Sequence, residues 1–261
     1  MGLFNSYSKP GKGISREEAE KREYFPILFR KTTLLLKTNL LFFGVNIILF
    51  ALLLFFFLPL FTSMDNQDTS SFIEHLSLVI QGKQLMSPFP FIVFWLFSPT
   101  VAGLTYLCRN YARQLPVFLV SDFFEQTKKN FKQSIIAGFI MTAVLYLYLT
   151  AFFFYSSTNI VMLCLTSMIG IIISMASFYV FPLIVTFDMP LKTVFKNSLL
   201  FAFINLPQNL LVLILLILIN IFLMLKFPIW WIILIVFFLI AFSSYTINFV
   251  AWNAISKHTE V

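Results

Sequence analysis

Charge is what this chain has least of. Charged residues make up 11% of its 261 positions, against about a quarter in soluble domains. With 59% hydrophobic residues, a soluble globular protein is excluded. Disorder is excluded as well, because disordered chains are poor in aromatics and this one has 35 Phe. Cysteine is also scarce. Cys108 and Cys164 stand apart, with no C-x-x-C and no neighbouring His, so neither a disulfide framework nor a zinc site is expected. The chain lacks a Walker A loop, a G-x-S-x-G elbow and an H-E-x-x-H pair. Catalysis needs a positioned acid, base, nucleophile or metal, and no constellation supplies one. The expectation is a non-enzyme with no cofactor and no metal.

Apolar runs of spanning length are abundant. About 20 apolar residues cross a bilayer, and six segments qualify: roughly 40–61, 91–108, 134–155, 160–181, 205–225 and 228–250. None holds an Asp, Glu, Lys, Arg or His in its interior, which removes proton relays and voltage sensors from the leading readings. Lys and Arg divide 16 to 2 between alternate flanking segments. By the positive-inside rule both termini are cytoplasmic. The fold class expected is all-α: a polytopic helical membrane protein with about six transmembrane helices, N-in/C-in. Its parts are a cytoplasmic arm over 1–37, a membrane domain over 38–251 and a tail over 252–261. The net charge of +7 belongs to topology rather than to nucleic acid, and the basic loops face anionic head groups. The membrane expected is a bacterial plasma membrane.

The arm is too polar to be a signal peptide. Met1-Gly2-Leu3-Phe4-Asn5-Ser6 formally fits an acylation pattern, and Ser15 with Glu18 forms a capping box. The long outer loop, 62–90, reads as a surface helix capped by Ser71 and Glu74 and ended by Gly82. His75 stands alone within it and reads as a surface residue. Three words precede spans: Lys37-Thr38-Asn39-Leu40-Leu41, Lys132-Gln133-Ser134-Ile135-Ile136 and Lys196-Asn197-Ser198-Leu199-Leu200. They suggest three hairpins, each with a basic lead-in helix, although any such lead-in favours Lys, a small polar residue and then Leu or Ile.

Two groups of residues are candidates for function. In the loop 109–133, Arg109 and Arg113 lie one turn apart. Asp122 reads as an N-cap with Glu125 as its box partner. The helix that follows sets Phe124, Phe131 and Ile135 beside Lys128, Lys129 and Lys132. This face reads either as simple anchoring at the head groups or as a docking surface for a partner. On span five, Asn205, Gln208 and Asn209 share a helical face, Asn220 lies near it, and Pro207 frees the carbonyl of Phe203. These read as helix–helix hydrogen bonding or as a polar site for a solute. Stripes of small residues (Ser98, Ala102, Thr105; Ser167, Gly170, Ser174, Ser177; Ala241, Ser244, Asn248, Ala251) read as packing faces before pore linings.

Several stretches resemble the YesL family, bacterial membrane proteins of unknown function. They are Arg109-Asn110-Tyr111-Ala112-Arg113; Ser121-Asp122-Phe123-Phe124 leading to Lys128-Lys129-Asn130-Phe131-Lys132-Gln133; and Val185-Thr186-Phe187-Asp188 with Phe195–Ser198 and Leu206–Leu210. The opening Gly2–Asn5 and Lys9–Gly13 resemble one branch of it. The resemblance implies a Gram-positive source, genes beside sugar-uptake ABC transporters, and no catalytic residues. The function expected is that of a non-enzymatic accessory to carbohydrate uptake, with ABC transporter subunits as partners. The alternative is a small permease for a neutral solute, its path lined by Asn205, Gln208, Asn209 and Asn220.

Overall fold

The computed structural model describes residues 24–62, 88–156 and 158–258. The arm before Tyr24 and the proposed outer-loop helix with His75 lie outside them. The described chain is an all-α polytopic membrane protein. In order, it forms α1 (Tyr24–Val45), α2 (Ile47–Thr62), α3 (Phe89–Leu96), α4 (Ser98–Ala112), α5 (Leu119–Lys129), α6 (Phe131–Ser156), α7 (Ile160–Thr186), α8 (Leu191–Ile204), α9 (Leu206–Lys226) and α10 (Pro228–Leu234). A π-helical turn over Ile235–Leu239 then leads into α11 (Ile240–His258). By length and composition four helices can cross a membrane, or up to six if each of two bent pairs is one span.

The differences from the hydropathy reading are physical. α1 is already helical at Tyr24, well before the boundary drawn at residue 37, and its Ile27, Leu28 and Leu35 are buried against the bundle. Arg30, Lys31 and Lys37 dilute its hydropathy without breaking the helix. The first span is bent by 74° between α1 and α2. The hinge residue Asn46 donates from its side-chain amide to the Phe42 carbonyl (2.8 Å). It accepts from the Thr100 hydroxyl at 3.0 Å, which ties the bend to α4. The second span is bent by 47° between α3 and α4. There Pro99 removes a backbone donor in the first turn of α4. α8 occupies the stretch before span five, where the repeated word suggests a lead-in helix.

Two successive helices meet at a single Asn three times, at Asn46, Asn130 and Asn205. In the first and third cases the Asn stands seven residues after the buried Asn39 and Ser198 of the repeated word. In the second, the word follows the joint instead. The repeat therefore keeps its register between the first and third units only.

The interior is two clusters of apolar side chains. One joins α1, α4, α5 and α11 through Leu35, Leu107, Tyr111, Phe123 and Tyr245. The other joins α6, α7, α8 and α11 through Ala137, Tyr179, Leu183, Val194 and Ile255. Close approaches rest on glycine: a Cβ at Gly138 would strike Ser98, and one at Gly170 would strike the ring of Tyr148. Outward faces of α6 and α9 carry Phe139, Leu147, Leu211 and Leu218, as lipid contact requires.

Candidate functional site

The segments that the charge count assigns to the cytoplasm meet at one end of the bundle. Arg30 donates to Gln114 Oε1 (2.6 Å), and Gln133 donates to the Met189 carbonyl (2.8 Å). Arg113 stacks over the ring of Trp252 at 4.1 Å. Gln114 itself takes a left-handed backbone (φ 59°) where the chain leaves α4. These contacts bring residues from five separate stretches together on one side.

Arg109 is not on the docking surface where the sequence placed it. It is 7% exposed. Its Nη1 donates to the Val185 carbonyl (2.8 Å) and the Thr186 hydroxyl (2.9 Å), and its Nη2 to Asn110 Oδ1 (3.0 Å). The guanidinium thus seats its positive charge at the C-terminus of α7, where the helix dipole favours a cation. It is a clamp between α4 and α7. Arg113, half-buried on Trp252, is likewise tied to the bundle. Asp122 is not an N-cap either. α5 starts at Leu119 with Phe118 as its cap, and Asp122 in the first turn accepts from the Phe118 N–H (2.9 Å). It performs the reaching-back half of a capping box.

The rest of that surface does come together. α5 turns Phe123 inward, fully buried, and lies against Gly103 of α4. A Cβ at Gly103 would collide with Thr127 Oγ1 and come within 2.8 Å of the Phe123 carbonyl oxygen. The opposite face shows Phe118 (76% exposed) and Phe124 (48%), with Phe131 beside them. Lys128, Lys129 and Lys132 are exposed alongside. Replacing Gly103 by Val is expected to lift α5 off α4. Protease cleavage after Lys128 and Lys129 in detergent would then speed up markedly, while the membrane-embedded fragments stay intact.

The polar set on span five divides. Asn209 is fully buried: it accepts from the Tyr179 hydroxyl (2.7 Å) and donates to the Phe201 and Ala202 carbonyls (3.2 Å each). It therefore closes the joint between α8 and α9 and holds both to α7. Asn205 is the joint itself and Pro207 sits in the first turn of α9. Gln208 is exposed. Asn220 accepts from the Trp231 indole (3.2 Å). These residues do not line one path.

A cavity that the sequence reading missed lies elsewhere in the bundle, bounded by α1, α2, α3, α4, α7, α9, the π-helical turn and α11. Its volume is about 560 Å3. Asn220 is the one member of the span-five set that reaches it. Parts of the small-residue stripes line it too, namely Thr105, Ser177, Ser244 and Asn248, while Ala102, Ala241 and Ala251 are packed against neighbours. The stripes were the available signal, but spacing alone does not separate a wall from a contact. No group of three or more metal-ligating side chains is assembled among the described residues.

Residues 85–152 match the model of a family described as a protein of unknown function, DUF624, the family that contains YesL-like proteins. The match spans α3 to most of α6 and takes in the first two stretches on which the resemblance rests. No curated protein and no solved structure matches the chain.

Proposed function

We propose, from a DUF624 segment built into this bundle, that the protein is a non-enzymatic accessory of the bacterial plasma membrane that docks a carbohydrate-uptake ABC transporter through α5. The observation that carries this reading is the two-faced geometry of α5. One face is fixed rigidly on Gly103, and the other presents exposed Phe118, Phe124 and Phe131 with three lysines. Aromatic anchors beside cations are what an interface core and its rim use. An aromatic residue shown at 76% exposure lowers its free energy only by entering lipid or a partner.

The test is capture of partners from native membranes in mild detergent. The triple variant Lys128→Gln, Lys129→Gln, Lys132→Gln and the single variant Phe124→Ser are each expected to cut recovery of transporter subunits about tenfold, with the protein still in the membrane and its melting temperature unchanged. If the unaltered protein captures no transporter subunit, and deleting its gene leaves sugar uptake intact, the docking reading is lost and α5 is an anchor.

The second reading is a small permease for a neutral solute. One observation favours it: the cavity reaches Asn220. Asn205, Gln208 and Asn209 do not take part in it.

A further inference from the structure

The stretch just ahead of α1 holds the acids that the basic end of the bundle lacks. On the segments that the charge count assigns to the cytoplasm, the described residues include eleven Lys and Arg but only three acids, Asp122, Glu125 and Asp188. Asp122 is turned back onto the Phe118 N–H, and Asp188 belongs to the loop after α7. Along α5 and the start of α6, Lys128, Lys129 and Lys132 are exposed with Glu125 as the one exposed acid. Four more acids, Glu17, Glu18, Glu20 and Glu23, fall within the seven positions before Tyr24. Ser15 and Glu18 make a capping-box pair there. In a helix running from that point, Glu17, Glu20 and Glu23 recur every three residues on one face. Arg16 opens that face, Lys21 borders it and Arg22 lies opposite.

Position brings the two charge patterns together. Tyr24, where the described chain begins, shares a hydrogen bond with Thr246 Oγ1 at 2.8 Å. Its ring packs in the same apolar cluster as Val117, just ahead of α5, and Phe123, the inward side chain of α5. Less than two turns further on, Arg30 holds Gln114, five positions before α5 starts. The chain ahead of Tyr24 therefore leaves the bundle beside α5. Residues 17–23 reach about 10 Å as a helix and about 23 Å extended. The 11 residues of α5 are about 16 Å long, so the acids are within range of its lysines.

We propose that the acidic face of residues 17–23 lies along α5, with Glu17, Glu20 and Glu23 against Lys128, Lys129 and Lys132, and that a partner must displace it to dock. The occupant of the basic face is then a segment of this same chain. The regulatory half of the proposal rests on the docking reading of α5, and the contact itself does not. Ion pairs at an exposed surface are individually weak, so three of them hold the segment loosely enough for a partner to replace it. The contact also depends on salt, because exposed charges are screened beyond about 3 Å at 1 M.

The experiment treats the full chain, in detergent and in phosphatidylglycerol vesicles, with a carbodiimide, which joins a carboxylate to an amine that touches it. Linked peptides joining 17–23 to Lys128, Lys129 or Lys132 are expected in both settings. They should form within one chain in a mixture of isotopically light and heavy protein, and 1 M NaCl should suppress them in detergent. Glu17→Lys, Glu20→Lys and Glu23→Lys together should abolish the link. Adding Lys128→Glu, Lys129→Glu and Lys132→Glu to that chain should restore it with the charges exchanged. No link, links to other lysines outside 17–23, links between chains, links lost in the anionic vesicles, or an exchanged chain that stays unlinked overturns the contact. For the regulatory half, Glu17→Gln, Glu20→Gln and Glu23→Gln together should raise recovery of transporter subunits about three- to fivefold, the effect of three exposed ion pairs. Unchanged recovery with the link present overturns that half. A link in protein that captures no transporter at all shows that the docking reading has failed and the contact has not.

Discussion

Asn39→Leu is expected to destabilise the bundle by about 3 kcal/mol. A π-helical turn breaks the regular ladder and leaves backbone groups without intrahelical partners. Asn39 of α1 supplies them from outside. Its Nδ2 donates to the carbonyls of Ile235 (2.8 Å) and Val236 (2.7 Å), and its Oδ1 accepts from the Ala241 N–H (2.7 Å). Leucine matches the amide in heavy-atom count and branching but is bulkier, so some overpacking adds to the loss of the bonds. Three bonds go at once, in a place where water cannot replace them. In membranes each such bond contributes roughly 0.6–1.7 kcal/mol. Equilibrium unfolding in mixed micelles of increasing SDS content measures the change. Asn39→Ser, which retains one hydroxyl, should fall between parent and Leu. If Asn39→Leu unfolds at the same denaturant fraction as the parent, the turn does not depend on this amide.

Arg109→Met is expected to cost about 3 kcal/mol as well, and to remove folded protein rather than partner binding alone. Two bonds from a charged donor reach α7, at 2.8 and 2.9 Å, each contributing roughly 1.5–3 kcal/mol. The burial cost of the charge, which methionine avoids, offsets part of that total. Arg109→Lys keeps the charge and loses the fork that serves Val185, Thr186 and Asn110 together, so it should recover less than half of the loss. Purified yield and melting temperature read this directly. The contrast with Lys128, Lys129 and Lys132 is the diagnostic. Those variants should melt with the parent, whereas the Arg109 variants should not. A normal melting temperature for Arg109→Met would return this residue to the surface where the loop sequence placed it.

That misplacement shows where the sequence stopped being informative. Span positions were legible because apolar length is a local property, and α6 and α9 fall within a few residues of their expected limits. Bends were not. Asn46 lies inside an apolar run whose one proline, Pro59, is 13 positions further on, and its partner Thr100 is 54 positions away. The fate of Arg109 depends on Val185, 76 positions on, and no window over the loop 109–133 contains it. The helix over 24–37 was hidden by Arg30, Lys31 and Lys37, which lower average hydropathy while Leu28 and Leu35 still turn inward. α5 was legible as a helix with basic and aromatic residues, yet the sequence turned attention to Phe124 and not to Phe123, the neighbour that is buried. For the amides of span five, composition fixed that they were polar in lipid, and only contacts separate Asn209, which closes a joint, from Asn220, which borders the cavity.

The uncharged lining of the cavity has an electrical consequence. Moving one elementary charge across the full membrane potential changes free energy by about 2.3 kcal/mol per 100 mV. A neutral molecule leaving or occupying a neutral chamber moves no charge through that field. Occupancy would then be the same in an energised cell and a starved one, and insensitive to the proton gradient. With no charge in its lining, the cavity itself is blind to the voltage across the membrane.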